Sequence, residues 1–499
     1  MAKYIFHPFL LSVSFIVFLF AHNISELGNH IAFDVVLVPI FVALLFAATA
    51  FFVLKMLIPD CHKAGIISSL VVVFFLYYGI FYDIFHGVKM ADLLVGRHKF
   101  LFPVWFVMIL SGGFFVLKTK KYLLPFTKIL NLSSVVLVLI PLISIVIYGI
   151  GGVGGIKTDI LQTIDKGNSA TANLPDIYYI IPDRYAGNGV LKNFFGYDNK
   201  EFSDFLEEKG FIISDESRSN YSQTLLSLPS VLNMKYLGDG MLLESQADTR
   251  FLLDMIRKNK VVGFLKQRGY KIVSFRVGWP ISNVDAEIGR PPVGEFSYKL
   301  LDSTLIRLVS NRRNIFRDYL NYRMRTVIDL AFKRLGEMPE LNLGGPKFIY
   351  AHLPVPHWPY LFGPNGEKVA AKFSDTEEMD LVKEKEYYLG QLQYTNRKIM
   401  ETVELIISNS EIPPVIIIQS DHGFNPESVD PLTMVSNFSA FYLPGKSKNI
   451  LSKSVSNVNT FRFIFDQYFG TELGLLPNKI YWSSFQEPYK FKEIQPHNL

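Results

Sequence analysis

Five long apolar runs occupy most of the first 150 residues of this 499-residue chain. Each run is about long enough to cross a bilayer, which needs roughly 20 apolar residues. A removable signal peptide would explain the first run alone, so the other four favour a multi-span membrane anchor. The runs lie at Tyr4–Phe20, Phe33–Ile58, Gly65–Tyr82, Phe100–Leu117 and Ile129–Ile150.

The basic residues between the runs predict an orientation. With the N-terminus inside the cell, seven lysines fall on the cytoplasmic side of five spans and three basic residues fall on the opposite side. This asymmetry follows the positive-inside rule, and five crossings then deliver everything after Ile150 to the outside. The inside set is Lys3, Lys55, Lys63, Lys118, Lys120, Lys121 and Lys128; the outside set is Lys89, Arg97 and Lys99.

The part of the chain after residue 150 is electrically neutral. Residues 1–150 hold 10 of the 50 Lys and Arg and 5 of the 45 Asp and Glu, which leaves 40 of each sign for the rest. Such a balance gives no basic surface of the kind that binds nucleic acid. The single cysteine, Cys61, lies beside the second run on the predicted cytoplasmic side. The exported part therefore has no disulfides and no thiol chemistry.

The pattern changes twice after the runs. Gly149–Gly155 and the polar stretch behind it predict a linker, in which Thr158–Ile164 has the pattern of a short interfacial helix. From Pro175 strands and helices alternate, which predicts a mainly parallel sheet covered by helices. The predicted strands are Ile177–Ile181, Lys271–Phe275, Lys347–His352, Val415–Ser420 and Ser439–Leu443, and the predicted helices are Lys200–Lys209, Thr249–Arg268, Glu377–Ile407 and Asn459–Phe469.

These observations predict three parts. Residues 1–150 form a transmembrane anchor of five spans, residues 151–174 form a linker, and residues 175–499 form an exported α/β domain.

An arginine-rich patch inside that domain has two interpretations. The favoured one is one or two amphipathic helices with a solvated face; the other is a basic helix face against anionic headgroups. The patch comprises Arg307, Arg312, Arg313, Arg317, Arg323 and Arg325.

The segment Pro414–Gly423 reads as a buried strand that runs into Asp421, His422 and a glycine. Sheets of α/β proteins bind ligands at the carboxyl ends of their strands, and Asp with His suits zinc or manganese. Asp183 mirrors this position after the strand that starts at Ile177. One such aspartate commonly caps a turn. Two of them on separate strands of one sheet can converge on one metal ion.

Thr224 precedes an apolar helical run. A threonine there is ordinarily an N-cap. The same geometry also suits chemistry, because a hydroxyl at a helix N-terminus feels the positive end of the dipole and a metal can hold it as an alkoxide. Pro229 leaves the start of this helix open, and Ser222 and Ser227 are rival hydroxyls.

His352 and His357 lie in a segment that leaves a strand and becomes a proline-rich loop. Prolines fix the direction of the backbone, which helps to hold a side chain in a site. A lone loop histidine is more often a surface residue than a catalyst. Two histidines within six residues at the end of a strand favour a function, either protonation of a leaving group or binding of a phosphate oxygen.

Together these features resemble the alkaline phosphatase/sulfatase superfamily, and more narrowly its membrane-anchored branch of phosphoethanolamine transferases and lipoteichoic acid synthases. That branch has five spans followed by an extracytoplasmic sulfatase-like domain with an alkaline-phosphatase-like α/β fold. Ser420–Gly423 resembles the family's Asp-His-Gly metal motif, and Thr224–Ser230 is similar to the stretch where a nucleophilic threonine precedes Ser-x-Pro. The order along the chain is also the family's order: Asp183, Thr224, His352, His357, Asp421, His422.

The chain departs from that branch at several positions. The first acidic ligand in the transferases is usually Glu, whereas this chain has Asp183. A further histidine often follows the Asp-His-Gly motif, but only His497 follows His422 here, which leaves a second metal ion without its usual ligand. Arg276 is the stand-in for an arginine expected after the strand at Tyr270. The Cys-x-Pro-x-Arg signature of formylglycine sulfatases is absent, which disfavours sulfatase activity.

The resemblance implies metal-dependent transfer of a phospho-group, phosphoethanolamine or phosphoglycerol, from a phospholipid to an envelope glycan or lipid through a phospho-threonine. The implied roles are Thr224 as nucleophile, His357 with His352 on the substrate side, and one Zn²⁺ or Mn²⁺ held by Asp183, Thr224, Asp421 and His422. Two alternatives stay open: an envelope phosphodiesterase or other sulfatase-like hydrolase, and a non-catalytic envelope-assembly protein.

The resemblance also implies a location and partners. We expect a multi-pass protein of the bacterial inner membrane whose C-terminal domain lies in the periplasm or outside the cell. Its partners would be a membrane phospholipid donor and a glycan or lipid acceptor, with no nucleic acid. We expect the protein to be a monomer.

Overall fold

The computed structural model describes residues 4–27, 34–85, 88–90, 93–94, 96–151, 174–214, 216–238, 250–275, 277, 284–286, 295–309, 315–369, 380–426, 428–447, 455–484 and 487–494. The chain divides into two units. One comprises Met1–Asp159 and Val293–Tyr322, and the other comprises Ile160–Pro292 and Arg323–Leu499. The predicted boundaries at residues 150 and 174 stay predictions.

The elements follow the chain in a helical part and then an alternating part. The helices are α1 His7–Leu27, α2 Asp34–Leu57, α3 Cys61–Leu76, α4 Tyr78–Phe85, α5 His98–Lys118, α6 Leu124–Gly151, α7 Asn188–Asn193, α8 Lys200–Glu208, α9 Thr224–Asn233, α10 Arg250–Arg257, α11 Lys260–Gln267, α12 Glu295–Asp302, α13 Ile315–Gly336, α14 Leu381–Asn409, α15 Pro431–Val435 and α16 Thr460–Phe469. The strands are β1 Lys89–Met90, β2 Leu93–Leu94, β3 Ile177–Pro182, β4 Ile212–Ile213, β5 Lys271–Ser274, β6 Lys347–Leu353, β7 Val415–Gln419, β8 Ser439–Tyr442, β9 Ile480–Trp482 and β10 Lys492–Ile494.

The apolar runs form helices, but fewer of them qualify as membrane spans than the sequence predicts. Val36–Leu57, His98–Lys118 and Leu124–Val146 are long and apolar enough to cross a bilayer. Helices α3 and α4 meet at a bend of 53° and together count as a fourth span. The described residues thus support three or four spans, whereas the sequence predicts five.

Helix α1 is the predicted span that does not qualify, because its apolar part, His7–His22, is short. It packs against α2, α3 and α6. Its buried face carries polar side chains as well as apolar ones: Nδ1 of His7 lies 2.6 Å from Oγ of Ser69, and Phe15 packs edge-on against Tyr77. The helix is therefore an inner element of its unit.

The main sheet has six strands in the order β4-β8-β7-β3-β6-β5. The four strands β7, β3, β6 and β5 are parallel, as predicted, while β8 and β4 add an antiparallel edge. The sheet is therefore mixed. Strand β3 lies between β6 and β7, with Ile181 opposite His352 and Ile180 opposite Ile418.

Strand β3 is buried on both faces. Tyr178 and Ile180 belong to one hydrophobic cluster, and Ile177, Tyr179 and Ile181 belong to the cluster on the other side. A strand covered by helices on both faces needs apolar residues at every position. This explains why the sequence shows an unbroken apolar run instead of an alternating one.

One predicted element is wrong. The helix predicted over Thr249–Arg268 is two helices, α10 and α11, within the described residues. Asn259 lies between the two helices and caps the second one: its Oδ1 accepts a hydrogen bond from Val262 N at 2.8 Å. The other predicted elements are present with ends shifted by a few residues. Thr158–Ile164 lies outside the described residues.

The arginine-rich patch contains two side chains that do not form a solvated face. Within its unit, Arg307 has Nη1 2.7 Å from Oδ1 of Asp83, and its guanidinium lies over the Tyr82 ring. In the other unit, Arg325 donates from Nη2 to Gly366 O at 2.7 Å. Arg312 and Arg313 lie outside the described residues.

The exposed Cys61 at the start of α3 gives a test of topology. If the bent pair α3–α4 spans the membrane, three crossings separate Cys61 from the residues after α6, whether or not α1 spans. We expect a membrane-impermeant maleimide to leave Cys61 unlabelled in spheroplasts and to label it after permeabilisation. The control is Cys61→Ser/Leu475→Cys, because Leu475 is 54% exposed and the new thiol should be labelled without permeabilisation. Labelling of both thiols in intact spheroplasts would show that α3–α4 is a re-entrant pair.

Candidate active site

Three neighbouring strands bring three buried side chains together at their carboxyl ends. Asp183 follows β3, His352 lies near the end of β6, and Asp421 follows β7. Ligand atoms of these residues lie within 4.8 Å of one another, and none of the three side chains is exposed. Parallel neighbours end at the same edge of a sheet, which is where α/β proteins bind ligands. The group could hold a metal ion.

His422 borders this group. Its Nε2 lies 3.1 Å from Thr224 Oγ1, 3.4 Å from Asp421 Oδ2 and 3.7 Å from Asp183 Oδ1. Its Nδ1 lies 2.8 Å from the carbonyl oxygen of Gly423. When Nδ1–H donates to that carbonyl, the lone pair is on Nε2, which is the nitrogen that faces the carboxylates. This tautomer is the one that a metal-binding histidine needs.

Thr224 is the first residue of α9, and Gln223 occupies the N-cap position. The helix continues through Pro229, so this proline does not delay its start. The hydroxyl of Thr224 therefore lies at the N-terminal end of a ten-residue helix, beside His422. The positive end of the helix dipole favours negative charge at this place.

The rival hydroxyls have different surroundings. Ser227 donates its hydroxyl hydrogen to the carbonyl oxygen of Asp421 at 2.6 Å, so it supports the backbone of the Asp-His-Gly turn. Ser222 lies two residues before Thr224, and its carbonyl accepts a hydrogen bond from Asn425 at 2.8 Å. Of the three hydroxyl residues, Thr224 is the one with a described contact to an imidazole nitrogen of the cluster.

The electrostatics of the cluster fit a cation. Burial alone would raise the pKa of Asp183, but His357, His352 and His422 outweigh it and hold that pKa well below its usual range. Burial alone would lower the pKa of His352, whereas its 3.2 Å contact with Asp183 raises it. Among the described residues, neither oxygen of Asp183 nor Oδ2 of Asp421 has a hydrogen-bond donor in suitable geometry. Buried carboxylate oxygens in this state are ready-made metal ligands.

His357 lies on the loop after β6. Gln391 holds this loop by donating from Nε2 to the carbonyl of His357 at 2.7 Å, while Nδ1 of His357 contacts the carbonyl of Trp358. Burial lowers the pKa of His357, partly offset by Asp183. The structure thus couples His357 electrostatically to the cluster and places His352 inside it.

Two asparagines that the sequence did not single out hold the Asp-His-Gly turn. Asn457 donates from Nδ2 to the carbonyls of Ser420 and Asp421, at 2.9 and 3.2 Å, and Asn437 donates to the same Ser420 carbonyl. Both asparagines lie more than ten residues after the Asp-His-Gly motif in the sequence, and neither belongs to a periodic pattern or a motif that would mark it as part of the site. Arg276 and His497, which bear on the sequence comparison above, lie outside the described residues.

Gly423 is required by a close approach of the backbone. Its N–H donates to Met434 O at 2.8 Å. A Cβ at this position would lie 2.5 Å from the carbonyl oxygen of Thr433 and closer still to that of Ser436. The third residue of the motif therefore lets the turn pack directly against α15.

Comparison with known proteins adds a family. A family model described as Sulfatase matches residues 186–463, which is more than half of the chain. None of the curated proteins matches the sequence. The match places the two site segments around Thr224 and Asp421 inside the family domain.

Several solved structures are similar. The periplasmic domain of phosphoethanolamine transferase EptC from Campylobacter jejuni is 15% identical with a TM-score of 0.39, over 60% of this chain and 92% of that one. The soluble domain of lipooligosaccharide phosphoethanolamine transferase A from Neisseria meningitidis is 12% identical with a TM-score of 0.37, over 60% and 89%. The lipoteichoic acid synthase LtaP from Listeria monocytogenes is 12% identical with a TM-score of 0.38, over 60% and 75%.

All three TM-scores lie below 0.5, so the assignment rests on the sequence match and not on these likenesses. The superfamily predicted from the order of the motifs is confirmed by that match. The chain belongs to the sulfatase family.

Proposed function

We propose that this protein is a membrane-anchored, metal-dependent phosphotransferase. It takes a phospho-group, phosphoethanolamine or phosphoglycerol, from a membrane phospholipid and passes it to an envelope glycan or lipid. The observation that carries the proposal is the position of the Thr224 hydroxyl, at a helix N-terminus and 3.1 Å from His422 beside two buried aspartates. The only cysteine is Cys61, and it does not lie in the Cys-x-Pro-x-Arg signature of formylglycine sulfatases.

One divalent ion, Zn²⁺ or Mn²⁺, fits the cluster. Asp183, Thr224, Asp421 and His422 are its proposed ligands, and His352 is a further candidate because its nitrogen lies in the same group. The mixture of carboxylate and imidazole ligands suits either metal. When bound, the ion supplies Lewis acidity that lowers the pKa of a hydroxyl ligand and polarises a phosphoryl group.

The residues of the chain divide the transfer into two halves. In the first, a bond forms between Thr224 Oγ1 and phosphorus as the bond from phosphorus to the diacylglycerol oxygen breaks. The hydroxyl proton of Thr224 leaves to solvent, and His357 gives a proton to the departing oxygen. In the second, the acceptor hydroxyl attacks phosphorus as the bond from phosphorus to Thr224 Oγ1 breaks, His357 takes the acceptor's proton, and Thr224 regains a proton from solvent. The next donor then uses that proton, so the cycle balances.

The surroundings of His357 suit the second half. Burial lowers its pKa, which favours the neutral imidazole that accepts a proton. The contact of Nδ1 with the Trp358 carbonyl fixes the ring so that Nε2 is the nitrogen that exchanges the proton. The N-terminus of α9 stabilises the negative charge that develops on Thr224 and the phosphoryl oxygens.

We propose that the anchor has five spans, with α1 as the fifth, and that the exported unit faces the periplasm or the cell exterior from a bacterial inner membrane. Three or four qualifying spans and the lysine asymmetry support this topology. A physical reason for the anchor is that it keeps the site near an insoluble donor and so raises the effective concentration. We propose a monomer.

The nucleophile is tested with detergent-purified protein and a labelled phospholipid. We expect Thr224→Ala to lower diacylglycerol release by at least about a thousandfold, because the attacking oxygen is removed. Peptide mass spectrometry should find phosphoethanolamine or phosphoglycerol esterified to Thr224 in wild type. Ser222→Ala is the matched control and should retain release. Equal release from wild type and Thr224→Ala would falsify the assignment of Thr224.

The metal is tested by thermal unfolding and metal analysis after dialysis against a chelator. We expect added Zn²⁺ or Mn²⁺ to stabilise wild type by about 2.7 kcal/mol at a hundredfold excess over the dissociation constant. Asp421→Asn should lose this stabilisation because it removes a ligand. Asp204→Asn, which changes a carboxylate in an exposed pair with Lys200, should keep it. Equal stabilisation of Asp421→Asn and wild type would remove Asp421 from the site.

The acceptor decides between transfer and hydrolysis. We expect wild type supplied with labelled donor and envelope glycan or lipid to form a covalent product whose amount follows the acceptor concentration. Free headgroup phosphate with no labelled acceptor across the whole panel would instead identify water as the acceptor, and the protein would be an envelope phosphodiesterase. The readout is mass spectrometry of the acceptor fraction.

A further inference from the structure

Arg184, directly after Asp183, has a backbone conformation that arginine rarely adopts. Its φ is 66°, in the left-handed region. An L-residue with a Cβ pays roughly 1–2 kcal/mol for this conformation, whereas glycine adopts it freely. The side chain and backbone contacts of Arg184 must therefore offset a cost that a glycine would avoid.

Both backbone polar groups of Arg184, its N–H and its carbonyl, form hydrogen bonds to side chains. Its N–H donates to Oδ1 of Asp421 at 3.2 Å. Its carbonyl accepts from the hydroxyl of Tyr388 at 2.9 Å, and the same hydroxyl accepts from Ala186 N at 2.9 Å. The turn after β3 is thus bonded to one of the aspartates of the cluster.

The side chains of Arg184, Glu384 and Tyr360 each contact the other two. Its Nη2 lies 3.1 Å from Oε1 of Glu384, and its Nη1 donates to the hydroxyl of Tyr360 at 3.2 Å. That hydroxyl donates to Glu384 Oε1 at 3.0 Å. The guanidinium also lies 4.5 Å from the centre of the Phe424 ring. The Arg184 side chain is only 6% exposed, so these charged contacts are poorly screened by water.

The partners come from segments that carry the proposed chemistry. Tyr360 lies three residues after His357 on the same loop, and Phe424 directly follows Gly423. Glu384 lies in the first turn of α14, the helix whose Gln391 holds the His357 loop. One side chain therefore ties the turn after Asp183 to both of these segments.

We propose that Arg184 is a positioning residue that holds the His357 loop and the Asp-His-Gly turn in place relative to Thr224. The inference rests on the proposed function for its effect on turnover, but its effect on the loop is independent of activity. A displacement of about 1 Å in a reacting group can lower a rate by roughly a hundredfold, so loss of this tie should appear in kcat.

The test uses the full-length protein in detergent with Arg184→Gly/Glu384→Gln. Arg184→Gly removes the guanidinium, and glycine adopts the left-handed backbone conformation without strain. Glu384→Gln is added because the Glu384 carboxylate would otherwise stay largely buried without the arginine that pairs with it. Arg184→Lys keeps the charge without the two-pronged guanidinium. The matched control is Arg268→Ala, because Arg268 also lies over an aromatic ring, that of Phe264, but has no described contact with the cluster.

Three quantities are measured: kcat and KM for the phospholipid, the zinc dissociation constant, and hydrogen exchange of residues 354–362. For the double variant we expect kcat to fall by about 10–100-fold with KM changed by less than about threefold. We expect zinc affinity within about threefold of wild type, because the Arg184 N–H that contacts Asp421 survives. Amides of residues 354–362 should exchange at least about tenfold faster, with α16 unchanged. Arg184→Lys should fall between wild type and the double variant.

The positioning role is wrong if the double variant folds and binds zinc but has the same kcat as wild type and the same rate of amide exchange in residues 354–362. Equal effects from Arg268→Ala would also overturn it, since the loss would then be general. If wild type itself releases no diacylglycerol, the proposed function fails, and the exchange measurement alone still decides whether Arg184 holds the loop.

Discussion

The unit that contains the six-stranded sheet is organised around two buried carboxylates that cannot be negative together without compensation. Asp183 and Asp421 lie at the ends of adjacent strands, with no exposed surface. Like charges at this distance in a poorly solvated site are costly, so positive groups must surround them. His352, whose Nε2 lies 3.2 Å from Asp183, and the backbone N–H of Arg184 supply part of this compensation. A bound cation is the simplest complement for the rest, and the other contacts of the site keep the two carboxylates in place for it.

The strands and most helices were predictable because their sequence signals are local. A strand buried on both faces is mainly apolar. Asp183 directly follows the apolar run of β3, and Asp421 follows the apolar run of β7 after Gln419 and Ser420. The candidate site residues could be proposed from the same local signals, because Asp183, Asp421 and His422 come after predicted strands and Thr224 comes before a predicted helix. The register that brings His352 opposite Ile181 and so into the cluster depends on pairing between segments 171 residues apart, which a local pattern does not encode.

What the sequence did not reveal is the support behind these residues. Asn437 and Asn457 hold the carbonyls of the Asp-His-Gly turn, and the Arg184–Glu384 pair joins positions 200 residues apart. Single polar residues have no periodicity of their own, and their partners are determined only when the chain has folded. The same limit explains the division of α10 from α11, because Asn259 is a cap whose effect overrides a continuous helical pattern.

The membrane helices show a different limit of hydropathy. The apolar run of α1 forms an inner helix whose buried face includes the polar side chains of His7 and Ser14. Polar groups in such a helix are tolerated when neighbouring helices satisfy them, here through Ser69 and Asn131. The number of crossings after Cys61 depends on the bent pair α3–α4 and not on α1, so that bend decides whether the residues after α6 lie on the same side of the membrane as Cys61 or on the opposite side.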